Sequence, residues 1–390
     1  MHAQRLRAGT GQSIQQDSRA AGIEAARAAV ARLEGEPPAL VFVFTSPRFN
    51  LPELLAGVRS VTGAAALVGA TGSGEIVEGR YLGFGEGVGV LALSAGPYRF
   101  GVASAARVRE ELEAAGGNLA RAARAAAGPS AHAAVVLLVD SMAGDLQQFV
   151  QGVYGVTGPT VAMVGAGAGD EQKFERTLVF HDGEIREEGA VVIWIASEHP
   201  LHVVTRHGWQ PIGIPMLVTR VAGTEIVELG GRAAADVYEE QLGVAPGALP
   251  AEKFWRTSIL HPFGLIQPDG TTVIRVARAK TPGHALRIQG CVPPTGSAVQ
   301  VMNGSADSLL AIAPDVVRES LAANPAAGAV LTFSCAARAM IFGPRVPEEA
   351  ECMQETAGSV PTFGFYCCAE FARTSGVLGT HNATLTALAL

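Results

Sequence analysis

The sequence predicts an α/β protein. Duplicated β-α-β-β units, with mixed sheets covered by helices, fill the N-terminal half, and a mixed α/β C-terminal domain follows. Three observations lead there. Apolar strand-like runs alternate with helical segments up to about residue 200, the pattern of parallel or mixed sheet under a helical cover. The alternation occurs twice in one order, at 39–93 and at 134–196, which marks an internal repeat. Beyond about residue 207 the texture changes to short strands and marked turns.

In chain order, Asp17 to Leu33 reads as an Ala-rich amphipathic helix with Asp17 or Ser18 as N-cap. The first copy opens with Ala39–Ser46, a buried strand ending in a small polar residue, followed by a helix from Leu51 to Ser60. A second strand ends in glycine at Leu67-Val-Gly-Ala-Thr-Gly-Ser-Gly-Glu75, and Val88–Leu93 closes the copy. The second copy repeats these features: Ala134–Ser141, a helix from Ser141 to Gln151, Met163-Val-Gly-Ala-Gly-Ala-Gly-Asp170 and Ala190–Ala196. A seam falls at His207–Gly213. Strands follow at Met216–Val221 and Thr224–Leu229, then a helix over Gly231–Leu242. Phe263–Ile266 and Thr272–Val276 flank Pro268-Asp269-Gly270, a hairpin turn. Strands near 285–289 and 298–302, a helix over 307–323, a buried strand 329–334 and a last strand 384–390 complete the chain. The expected organisation is 1–34 as an N-terminal helix packing on the first domain, 35–207 as the duplicated domain and 208–390 as the C-terminal domain.

Composition bounds the function. The chain has 390 residues, more than one ordinary core uses. It is 48% hydrophobic and 17% charged with 47 glycines, which excludes a disordered chain and fits much buried sheet with many turns. A net charge of −7 without any basic stretch argues against nucleic acid or an acidic membrane surface as partner. Mean hydropathy is +0.26, yet no run of about 18 apolar residues exists to span a bilayer. The five cysteines have no zinc spacing and the N-terminus has no secretory apolar region, so a cytoplasmic protein is expected.

The candidate chemistry is sparse. The glycine-ended strands do not match G-x-G-x-x-G or a P-loop, although Gly165, Gly167 and Asp170 form a place where backbone N–H groups could meet a ligand. His199, His202 and His207 alternate along an expected strand, so they do not converge on a metal. No hydrolase motif occurs. Cys335, beside Arg338 at the end of a buried strand, is a candidate nucleophile, but no base accompanies it and a structural cysteine is the plainer reading. Phe363–Phe371 is aromatic-rich and carries Tyr366, Cys367, Cys368 and Glu370. Buried Tyr366 and Glu370 need partners, and Arg338, Arg275 and Asn382 are available. A ligand pocket and a structural ion pair both satisfy that need, and the residues alone leave both open.

At these segments the sequence resembles the FIST family. Val41–Ser46, Val68–Ile76 and Val164–Asp170 resemble its N-terminal domain. Gly230–Tyr238, Phe333–Arg338, Gly364–Glu370 and His381–Leu385 resemble its C-terminal domain. Where the family tends to show Thr-aromatic-Gly-Glu, this chain has Cys367-Cys368-Ala369-Glu370. The resemblance implies a bacterial-type sensory protein that binds a small ligand and signals through a separate partner. It offers an amino acid, or haem with nitric oxide, as ligand and a histidine kinase as partner. His181 and His261 are the candidate haem ligands because they stand at strand ends. The alternative is a cysteine-dependent enzyme acting on a small molecule in the inter-domain cleft.

Overall fold

The computed structural model describes residues 5–373 and 379–390. Three six-stranded sheets form a ring, and a nine-stranded antiparallel insertion stands beside it.

The first sheet runs Ala8–Ser13, Val88–Leu93, Leu40–Thr45, Ala66–Thr71, and then a hairpin from further along the chain, Val179–His181 with Glu184–Arg186. The second runs Tyr98–Ala105, Ala190–Ser197, His132–Val139, Ala162–Gly167, then Ala369–Arg373 with Thr380–His381. Each holds the same unit, β-α-β-α-β-β, with the last strand between the first two and one parallel pair at the centre. The duplication is therefore present and longer than the β-α-β-β expected. Ala8–Ser13, Tyr98–Ala105 and the helix Leu112–Ala127 had no clear apolar run to announce them.

The unit occurs a third time. Val203–Arg206, Leu385–Ala389, Val330–Cys335 and Thr362–Cys367 repeat the order, completed by the hairpin Glu75–Val77 and Arg80–Tyr81 of the first unit. Residues 207–312 separate the first strand of this copy from its first helix, Ala313–Ala323. That gap hides the third copy from a search at fixed period. Each unit lends a hairpin to its neighbour, which ties the three sheets to one another around the ring.

The core follows from this closure. Phe42, Phe44, Val136, Leu138, Leu331, Phe333, Phe363 and Phe365 face inward from all three sheets into one buried cluster. Two helices cover each sheet outside. Ser18–Ala31 packs on Leu51–Thr62, and Leu112–Ala127 on Leu146–Thr157. A Cβ on Gly22 would sit 2.3 Å from the Leu54 carbonyl, and one on Gly152 would sit 1.8 Å from that of Glu113, so only glycine permits these helix crossings.

Several boundaries differ from expectation. Asp17 caps the first helix by accepting from Ala20 N–H at 2.7 Å, as expected. The second-copy helix begins at Leu146, because Asp140 accepts from Met142 N–H and Asp145 takes the cap, holding 141–145 as a turn. The expected helix 307–323 is two, Ala306–Leu310 and Ala313–Ala323. The helix expected over Gly231–Leu242 is Ala234–Gln241, since Arg232–Ala233 pair as a short strand.

Candidate functional site

Three backbone hydrogen bonds link the units at the carboxyl ends of their strands. Ser73 N–H donates to Tyr366 O (2.8 Å), Gly169 to Thr71 O (2.8 Å) and Cys368 to Gly167 O (3.1 Å). Within each unit, Ser46 N–H meets Gly87 O (3.0 Å), Asp140 meets Gly189 O (2.8 Å) and Cys335 meets Thr384 O (3.0 Å). Ser46, Asp140 and Cys335 are thus one position in three copies. The inward residues Ala70, Ala166 and Phe365 face Val179, Glu370 and Glu75 across the lent hairpins. Glu75 and Glu370 therefore also share a position.

Around Glu370 this geometry builds a site. Its carboxylate is fully buried and accepts from Thr384 N–H (3.1 Å), Thr384 Oγ1 (2.9 Å) and the Cys367 thiol (3.4 Å). Burial raises its pKa to about 7, against the lowering effect of these donors and of Cys335. Burial likewise pushes the Cys335 and Cys367 thiols well up, and Cys368 up to about 12. All three stay protonated.

Cys335, Cys367, Cys368, Ala336, Ala337, Met340 and Asn382 form one wall of a cleft. Trp255, Val276 and Gln289 of the insertion and Gln172 and Phe174 of the second unit form the other. The Asn382 amide oxygen is buried there without a partner. The guanidinium of Arg278 lies 4.0 Å over the Phe174 ring. As it stands the cavity is about 30 Å³, room for a water or two.

Of the residues singled out in the sequence, Cys335, Cys368 and Asn382 meet in this cleft, and Glu370 lies directly behind the thiols. Of the partners available to Tyr366 and Glu370, Arg338 does reach Tyr366, through Glu349, but Arg338, Arg275 and Asn382 make no bond to Glu370, so Arg338 and Glu370 do not share a network. Arg338 pairs with Glu349, which also accepts from Tyr366 Oη and Ser334 Oγ, each at 2.7 Å. The side chain of strand residue Tyr366 points to the outer helices, and those of Cys367 and Glu370 point inward. Arg275 bonds the carbonyls of Ile274 and Thr380, and Asn382 donates to the His381 carbonyl. Gly165 and Gly167 lie within a strand of the second unit. Asp170 accepts from the backbone N–H of Phe174, Glu175 and Arg176, shaping the loop that carries Gln172 and Phe174 to the cleft.

Sequence reasoning missed Gln172, Phe174, Trp255, Gln289, Thr384 and Glu349. Trp255 had a signal, being one of 3 tryptophans and on an amphipathic helix, Ala251–Leu260. Gln172 and Phe174 had none: they reach the cleft through left-handed backbone at Glu171, Gln172 and Phe174.

Residues 39–232 match the FIST N domain and residues 234–373 the FIST C domain. The chain belongs to the FIST family. FIST domains are associated with small-ligand sensing in bacterial signal transduction. Over 387 residues, this FIST protein is 26% identical to an uncharacterized protein of Mycobacterium tuberculosis H37Rv, covering 97% of this chain and 98% of that one. An uncharacterized protein of Mycobacterium bovis is 25% identical over 402 residues, covering 97% of each chain. A solved cyanuric acid hydrolase from A. caulinodans aligns over 98% of this chain and 99% of its own at 10% identity, with a TM-score of 0.39.

Haem does not fit the two candidate histidines. His181 Nδ1 bonds Ser104 Oγ at 2.9 Å and its Nε2 lies 3.5 Å from Asp182. His261 has an unpartnered buried Nδ1, but neither ring borders the cleft. Among the described residues no group of three or more His, Cys, Asp or Glu could hold a metal ion, and no helix is long and apolar enough to cross a membrane.

Proposed function

We propose that this FIST protein binds a small molecule in the cleft between the insertion and the third unit, and that a separate cytoplasmic signalling protein reads the result. The observation that carries this reading is the Asn382 amide oxygen, buried without a partner at the wall of a cleft with aromatic groups opposite. A buried acceptor left without a donor is unfavourable by about 1–3 kcal/mol, and a ligand N–H or O–H placed there relieves it. The cavity is too small for most ligands as it stands, so binding parts the insertion from the ring. The chain enters the insertion through 207–209 and leaves it through 304–312, and movement on these connections is the shape change a partner detects.

The enzymatic alternative is less favoured. Burial holds Cys335, Cys367 and Cys368 as protonated thiols, whereas a catalytic cysteine works as thiolate. Thermal-shift screening of the full chain against small metabolites, amino acids included, tests the proposal. A hit should stabilise the wild type and lose its effect in Asn382→Leu. A library without any stabilising compound contradicts the reading, and a Soret band in the purified protein contradicts the exclusion of haem.

A further inference from the structure

Arg275 ends the strand Thr272–Arg275 of the insertion and is 1% exposed. A guanidinium does not shed its proton in a protein, so it cannot escape burial by becoming neutral, as a carboxyl can. Its Nη1 donates to the carbonyls of Ile274 (2.9 Å) and Thr380 (3.0 Å). Its Nε and Nη2 are buried and no oxygen accepts from them; only the sulfur of Cys291, a weak acceptor, sits against the guanidinium among the described residues.

Among the described residues no counter-charge meets that edge. Asp145, whose charge Arg275 senses, is exposed at the N-cap of Leu146–Thr157 and accepts from Gln147 N–H at 3.1 Å. Cys291 lies beside the guanidinium, but burial raises its thiol pKa more than Arg275 lowers it, so the sulfur stays protonated. His381, the other titratable neighbour, is held neutral by burial and by Arg275, its pKa pushed down to about 4. Its Nε2 meets the Ala372 carbonyl at 2.8 Å. A fixed buried charge without an opposite charge is strongly unfavourable, and an anion placed against this edge relieves that cost.

The Nε and Nη2 protons of an arginine form the edge that takes two oxygens of one planar group in parallel hydrogen bonds. One cation is balanced by one singly charged group. We propose that this edge of Arg275 is the receptor for the carboxylate of a small organic acid, held where the insertion meets Thr380 and the start of the helix Leu146–Thr157. Arg275 is not a wall of the cleft, although Val276 next to it is. The site therefore goes beyond the proposed cleft and stands even if the cleft binds nothing.

Thermal unfolding of the full chain at constant ionic strength, with chloride replaced by formate, acetate or phosphate, tests it. Formate and acetate should raise Tm saturably, by about 5 °C once the site is filled. Arg275→Met should remove the response, and Arg275→Lys, which keeps the charge without the fork, should reduce it. Ala337→Trp, which fills the cleft, should leave it intact. A larger shift with phosphate overturns the carboxylate assignment. An equal response in Arg275→Met, or loss of response in Ala337→Trp, overturns the site. If Arg275→Met does not fold, formate titration of the ¹⁵N-labelled wild type decides: one arginine Nε–H resonance should move, and none moving overturns the proposal.

Discussion

Glu75 and Glu370 occupy one position in two copies of the same unit, and their surroundings are opposite. Both are fully buried. Glu370 is met by Thr384, Cys367 and Cys335. The matching positions around Glu75 are Gly87, Gly72 and Ser46. The two glycines have no side chain to offer, and Ser46 Oγ donates to Glu171 instead, at 2.6 Å. Both oxygens of Glu75 are left without a partner, and burial raises its pKa well above the usual carboxylate range. The backbone alone did not make a site here. The side chains of the third copy turned a shared position into a polar cluster behind a cleft, and those of the first copy left an isolated buried acid.

The largest expected contrast is in pH dependence. An acid whose pKa rises on folding stabilises the native state least when it must ionise there. Stability therefore falls as pH rises from the unfolded carboxyl value of about 4.5 to the folded value of about 7 for Glu370, by about 3 kcal/mol. Glu370→Gln should flatten that share of the profile in denaturant melts between pH 4 and 8. Glu75→Gln should flatten a separate share of the same sign, extending to higher pH. A wild-type profile that rises across this window contradicts both assignments.

At pH 5, where Glu370 is protonated, Glu370→Leu leaves the Thr384 N–H and hydroxyl without an acceptor and should lose about 2 kcal/mol of unfolding free energy. Gly87→Ala tests why the first copy cannot borrow the third copy's solution. A Cβ there would lie 2.5 Å from Leu82 Cβ, so a loss of about 1–2 kcal/mol is expected. The smallest effect has the opposite sign. Glu75→Leu removes polar atoms that have no partner and should be neutral or stabilising by up to about 1 kcal/mol, read in the same melts.

Legibility in the sequence followed physical range. Strands such as Leu40–Thr45 and His132–Val139 are continuous apolar runs because both faces are covered, and they were readable with their central helices. Tyr98–Ala105 carries an exposed or half-buried residue at most positions and was not. The third copy was hidden because 207–312 interrupts it, which no local pattern reveals. At the site, Cys335, Cys368, Glu370 and Asn382 stood out by residue type in a chain poor in polar groups. Their partners did not, because Thr384, Gln172 and Trp255 arrive from sequence-distant elements. Arg338 and Glu370 looked like natural partners, but strand alternation sends Tyr366, with which Arg338 shares Glu349, outward and Glu370 inward.

The most direct test of the central claim is calorimetric titration of a compound that stabilises the wild type but not Asn382→Leu, repeated on Ala337→Trp. Ala337 is half-buried at the wall of the cleft, so the substitution fills the space while leaving Glu370 and its partners in place. The account predicts saturable one-site binding to the wild type and loss of that binding in the filled variant, with both proteins equally folded. Unchanged affinity in Ala337→Trp would contradict it, and would place the ligand elsewhere on the ring.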